Sequence, residues 1–126
     1  MQVPFLSLKD VTEMHGEEIR EAAVLGTPSI RCNTFVGRIH YLEEEEHRYH
    51  LTYGFRPENS EAMFARVNEL LAMGTAALKA EWAKRRAVLL SEKIDYTAFL
   101  TYFIENYPQS VAETRHADEE FWKRFR

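Results

Sequence analysis

The side chains able to do chemistry concentrate in RCNTFVGRIHYLEEEEHRYH, residues 31–50. His40, Glu44 and His47 fall at i, i+4 and i+7, with His50 close behind, and a helix would bring their nitrogen and oxygen atoms to one face as ligands for a divalent metal. The spacing departs from the HExxH arrangement, and four consecutive glutamates, Glu43 to Glu46, fit a solvated helix face better. The expectation is therefore no metal. Cys32 would need a histidine beside it and a lowered thiol pKa to act as a nucleophile, and its place after Ile30 fits a buried strand end better. Lys84-Arg85-Arg86 offers three cations, but consecutive residues fan around a helix rather than converging on one phosphate. Glu81 is spaced to pair with Arg85 at i+4, so a solvated charged face is expected there. Among 20 acidic residues no spacing singles out the two carboxylates that glycoside hydrolysis requires.

The elements that must position these groups can be read from periodicity and punctuation. Val3-Pro4-Phe5-Leu6 predicts an extended opening, because proline biases its predecessor away from helix. A helix is expected over 9–25, weakened at Gly16 by about 1 kcal/mol relative to alanine. Gly26-Thr27-Pro28 ends it with a residue that tolerates left-handed geometry and one that cannot continue a helix. Ser29-Ile30-Arg31-Cys32 then reads as a short strand. The loop 33–37 leads into an acidic helix from Arg38 to about Tyr49, and Leu51 to Phe55 alternates as a second strand.

Beyond Pro57 the pattern is helical. Met63, Phe64, Val67, Leu70 and Leu71 form one apolar face ending at Gly74, and Leu78, Trp82 and Leu89 carry a long charged helix to about Lys93. Asp95 is placed to cap the next helix. That helix has the clearest stripe in the chain, Tyr96, Phe99, Leu100, Phe103, Ile104 and Tyr107, at i, i+3, i+4, i+7, i+8 and i+11. The late aromatics Phe121, Trp122 and Phe125 predict that the tail docks its last turn.

With 126 residues, 45% of them hydrophobic, the chain can fill one core, and a single domain over 1–126 is expected. A formal charge of -4 gives no overall attraction to phosphate backbones or anionic lipid. Nucleic acid is excluded as a default partner. No apolar run approaches the roughly 20 residues of a membrane span. A single cysteine and the absence of a signal-peptide pattern in MQVPFLSLKD predict a reducing, cytoplasmic setting.

GTPSIRCNTFVGRIHYLEEEEHRY together with LTYGF resembles the C-terminal domain of glycosyltransferase-like proteins of the GT-B architecture, which has two Rossmann domains and is shared with nucleotide-sugar 2-epimerases. The resemblance spans residues 20–126. It implies a nucleotide-sugar, of UDP type, at the carboxyl ends of the strands. Glu21 falls where such proteins place a carboxylate that accepts from the ribose hydroxyls, and Asn33, Thr34, Gly37 and Arg38 fall in the loop facing the donor sugar or its phosphates. Where that family carries a glycine-rich turn, this chain has Glu13-Met14-His15-Gly16-Glu17-Glu18, whose carboxylates oppose an anion at a helix start. Residues 1–19 diverge, and VPFLSLKDVTEMHGEEIREA resembles the opening of PLP-dependent nucleotide-sugar aminotransferases, without their cofactor lysine or phosphate site.

The expected fold is mostly α with two short β-strands, a partial Rossmann-like α/β fragment followed by a helical C-terminal segment. The expected function is that of a truncated glycosyltransferase-like protein. It would be inactive alone without acceptor domain or phosphate turn, bind nucleotide-sugar weakly at most, and need no cofactor. The alternative is a helical self-association or partner-binding module, a homo-oligomer formed through Tyr96, Phe99, Leu100, Phe103, Ile104 and Tyr107. A metal-dependent enzyme built on the histidine-glutamate helix is the third reading.

Overall fold

The computed structural model describes residues 16–126; the extended opening, the start of the first helix and the aminotransferase-like stretch lie outside or at the edge of them. The chain is mostly helical with one two-stranded parallel sheet, and it divides into two compact units, one running to Ala87 and the other Val88–Arg126.

In the first unit, helix α1 (Gly16–Leu25) precedes strand β1 (Ser29–Cys32), helix α2 (His40–His47) and strand β2 (Thr52–Phe55). Ile19, Ala22 and Ala23, at i, i+3 and i+4, form the buried face of α1. Gly26, at φ 71°, closes the helix: its amide bonds back to Ala23 and that of Thr27 to Ala22, so two end carbonyls are satisfied as the chain turns into β1. The strands pair in register Ser29 to Thr52, Ile30 to Tyr53, Arg31 to Gly54 and Cys32 to Phe55. Parallel pairing requires a crossover, and α2 supplies it.

A 3-10 turn (Pro57–Asn59) leads to α3 (Ser60–Ala72), which packs on both strands, and Gly74 separates α3 from α4 (Thr75–Glu92). Of the predicted α3 face only Met63 is buried; Phe64 and Leu71 are exposed. Trp82 of α4 is fully buried, donates its indole N–H to the Leu51 carbonyl at 3.0 Å, and meets the Tyr53 ring edge-on. Helix α2 and strand β2 begin and end within two residues of the predicted boundaries.

The second unit begins in the last turns of α4 and contains α5 (Tyr96–Glu105), α6 (Gln109–Arg115) and α7 (Glu119–Lys123). The Asp95 carboxylate caps α5 by accepting from the Ala98 amide at 3.0 Å, as its position predicts, and Asp118 caps α7 in the same way through Phe121. The tail docks as expected: Phe125 is buried, its carbonyl accepts from the Asp95 amide, and its ring meets Phe99 and Tyr102 with centroids 5.5 and 5.4 Å apart. Fully buried Ser110 donates to the Phe103 carbonyl, fixing α6 against α5. Among the described residues no helix is long and apolar enough to cross a membrane.

A Cβ at Gly26 would sit 3.0 Å from Arg86 Cδ, in a backbone conformation that L side chains rarely adopt. Gly26→Ala is therefore expected to cost about 1–2 kcal/mol; urea unfolding measures it, and an unchanged midpoint would remove Gly26 from this capping role.

Candidate functional site

Strand alternation puts Ser29 and Arg31 on one face of β1 and Ile30 on the other. Arg31 thereby turns its guanidinium inward, where it is 1% exposed. A charge so far from water needs partners, and α2 provides them: Arg31 Nη2 donates to Glu43 Oε1 at 2.7 Å and to Glu46 Oε2 at 2.9 Å. The positions at i and i+3 put both carboxylates on the helix face turned to the strand. Opposite Arg31 in the parallel register stands Gly54. A Cβ there would lie 2.8 Å from both Arg31 Nε and Glu46 Oε2, so the absence of a side chain lets the guanidinium lie across β2.

Glu43 is the hub of this arrangement. Its Oε1 also accepts from the Gly37 amide at 2.9 Å, and its Oε2 lies 3.1 Å from His47 Nε2. Burial pushes the Glu43 carboxyl up, but hydrogen bonds from Gly37, Arg31 and His47, with the Arg31 charge, outweigh it and hold the group below its ordinary 4.5. One carboxylate thus ties strand, loop and helix together.

The loop that follows β1 gathers four of the five residues predicted to touch ligand. Asn33 accepts from the Phe35 amide through Oδ1 at 2.9 Å, in an Asx turn, and the Arg38 amide donates to the Phe35 carbonyl. Gly37 adopts φ 87° as its amide turns to Glu43. Thr34 and Arg38 are exposed, and no described partner pairs with the Arg38 guanidinium. α2 then starts after Ile39, which offers no side-chain cap. Glu21 lies apart from this group: it is exposed on α1, borders an open cleft with Arg20, Val24 and Leu25, and is bonded to none of the described loop residues.

Among the described residues, His40, Glu44 and His47 are not brought together as a ligand group. The ligand atoms that approach one another there, within 4.8 Å, belong to Glu43, Glu46 and His47, and the Arg31 guanidinium already lies against both carboxylates. Cys32 sits half-buried at the end of β1 with its thiol free. Lys84 and Arg86 are exposed, as expected of a solvated face at 84–86, and Arg85 is half-buried. Arg85 pairs with Glu81 at 3.0 Å as predicted, but it also donates to the His50 carbonyl at 2.6 Å and the Tyr53 hydroxyl at 3.1 Å. Burial pulls the Arg85 guanidinium down, and Tyr53 and Glu81 outweigh it, leaving it above its ordinary value. Arg86 donates to the Val24 carbonyl at 2.5 Å, at the end of α1. These two cations fasten α4 to backbone elsewhere in the first unit.

The aromatic stripe of α5 is divided. Phe99 meets Phe103, Trp122 and Phe125, with Tyr102, off the predicted stripe, joining Phe121 and Phe125 and donating its hydroxyl to Glu113. Arg124 lies over the Tyr102 ring at 4.6 Å. The rest of the stripe faces outward: Tyr96 is 63% exposed, Leu100 39%, Ile104 71% and Tyr107, just past the helix end, 67%.

Because folded Glu43 titrates below 4.5, its contribution is complete above that pH and is lost as pH falls through the folded value. Glu43→Gln is expected to lower stability at pH 7 by roughly 1.5–3 kcal/mol, the worth of a hydrogen bond to a charged group, and to flatten the acid dependence. Urea titrations from neutral pH to about pH 3 test this; an acid slope equal to wild type would show that other carboxylates carry it.

Compared with known proteins, the chain matches no family model, no curated protein and no solved structure.

Proposed function

We propose that this protein is a self-association module whose working surface is the outward half of the α5 stripe, Tyr96, Leu100, Ile104 and Tyr107. The observation that carries it is that α5 leaves four large apolar side chains in water, Tyr96, Leu100, Ile104 and, just past its end, Tyr107, while Phe99 and Tyr102 meet the tail and exposed Thr97, Thr101 and Glu105 make its polar side. An apolar patch of adjacent large side chains marks an association site. Phe99 and Phe103 support this surface from behind rather than forming it.

The test is sedimentation velocity across the micromolar range. Wild type is expected to show a concentration-dependent mass, and Ile104→Glu, at a site too exposed to affect folding, to weaken association at least about tenfold, some 1.4 kcal/mol. A wild-type monomer at several hundred micromolar would sink the proposal.

A second reading, nucleotide-sugar binding without turnover in the manner of a GT-B remnant, has its own support. The loop holding Asn33, Thr34, Gly37 and Arg38 stands at the carboxyl end of a parallel strand, it leads into a helix start with no side-chain cap, and the Arg38 guanidinium pairs with none of the described residues. A helix N-terminus and a cation favour phosphate. Ligand-observed NMR with UMP and a panel of UDP- and dTDP-sugars is expected to show millimolar binding that Arg38→Ala weakens severalfold. Silence across the panel would end this reading. Glu21→Ala asks separately whether the distant α1 carboxylate takes part.

A further inference from the structure

We infer that the Glu43 carboxylate is the chain's own occupant of an oxyanion-binding donor set at the loop after β1, a contact that closes Arg31, Gly37 and His47 to anions from solution. It goes beyond both readings above and stands whether or not the loop takes a nucleotide.

The donors come from three places in the chain. The Arg31 guanidinium of β1 and the Gly37 amide of the loop meet on one oxygen, Glu43 Oε1, at 2.7 and 2.9 Å. The His47 imidazole, one turn along α2, lies 3.1 Å from the other oxygen, Oε2. A guanidinium, a backbone amide presented by left-handed geometry at φ 87° and an imidazole are groups that hold carboxylates and other oxyanions. These contacts use only the two oxygens, which any small carboxylate carries.

Charge sets the class of anion. Glu46 Oε2 lies 2.9 Å from the same Nη2, so the Arg31 cation keeps one carboxylate beside it whatever fills the Glu43 position. A single negative charge there reproduces the native balance, whereas a dianion such as sulfate adds a charge in excess next to Glu46. Burial supplies the driving force. Arg31 is 1% exposed, and its Nε and Nη1 are buried without a described partner, so loss of the Glu43 carboxylate leaves a buried cation underpaired. The Glu43 side chain is 23% exposed, which leaves its position within reach of a small anion from water.

The test removes the carboxylate and offers it back. In Glu43→Ala, sodium formate is compared with sodium chloride and sodium sulfate at equal ionic strength through the Gly37 amide signal in proton-nitrogen NMR spectra. Urea unfolding in formate and in chloride runs beside it, with wild type as the reference in each salt. Formate is expected to shift the Gly37 amide of the variant saturably. With a dissociation constant of about 20 mM, it raises the variant's folding equilibrium constant roughly tenfold at about 200 mM, relative to wild type. Sulfate is expected to bind more weakly, chloride to leave the amide in place, and the wild-type amide to ignore all three. A folded variant whose Gly37 amide ignores formate would overturn the inference, as would a wild-type amide that responds like the variant's. Sulfate binding as tightly as formate would overturn the assignment to single charges. If Glu43→Ala does not fold in chloride, recovery in formate supports the inference and failure to recover overturns it.

Discussion

A guanidinium withdrawn from water at the centre of a two-stranded sheet constrains everything packed around it. Arg31 meets that constraint with two carboxylates from a single helix, both reached through Nη2, while Nε and Nη1 are buried without a described partner. A buried ion pair of this kind is weak evidence for net stability, since desolvation offsets most of the attraction. Its effect is on arrangement. The pair holds one face of α2 against β1, lies in the space left open by Gly54 in β2, and draws Gly37 into the same network through Glu43. Strand, crossover helix and the loop between them meet at one buried cation.

The helices and strands were readable because their signals are local. Gly26-Thr27-Pro28 announces its turn through backbone geometry, Asp95 announces a helix start through one carboxylate, and Ser29–Cys32 and Thr52–Phe55 announce strands through their side-chain types. Parallel pairing of those strands follows from the helix between them. What local pattern cannot carry is the partner of a side chain far away in sequence. Nothing within SIRC marks the partners of Arg31, and it is Glu43 and Glu46, 12 and 15 residues on, that meet its buried guanidinium. Four glutamates in a row read as a solvated run, yet the first and last of them hold the Arg31 cation.

The same limit explains the candidate site. Asn33, Thr34, Gly37 and Arg38 are close in sequence and are gathered in one loop; Glu21 and that loop share no bond among the described residues, because a residue on α1 is placed by the packing of Ile19, Ala22 and Ala23 rather than by loop chemistry. Arg85 and Arg86 were legible as cations but not as fasteners, since their acceptors are the backbone carbonyls of His50 and Val24, 35 and 62 residues distant. No side-chain pattern marks a carbonyl as an acceptor. The histidine-glutamate helix shows the same limit: period places His40, Glu44 and His47 on one face, but the face turned to the sheet is the one that Arg31 holds, through Glu43 and Glu46.

The division of the α5 stripe bears on what the second unit is for. The packing of half-buried Phe99 and Phe103 could have been achieved by a helix with a charged outer face, the arrangement that keeps most surface helices in solution. This helix instead keeps Leu100 and Ile104 exposed and draws Tyr102 into the inner aromatic cluster, which Tyr96 touches through Phe99. An outer face that raises the exposed apolar area is physically costly unless something covers it. Arg31, Arg85 and Arg86 hold the first unit's own structure together, whereas α5 of the second carries a single charge, Glu105 in its last turn. The exposed apolar side chains of α5 are therefore the surface that gains most from a partner.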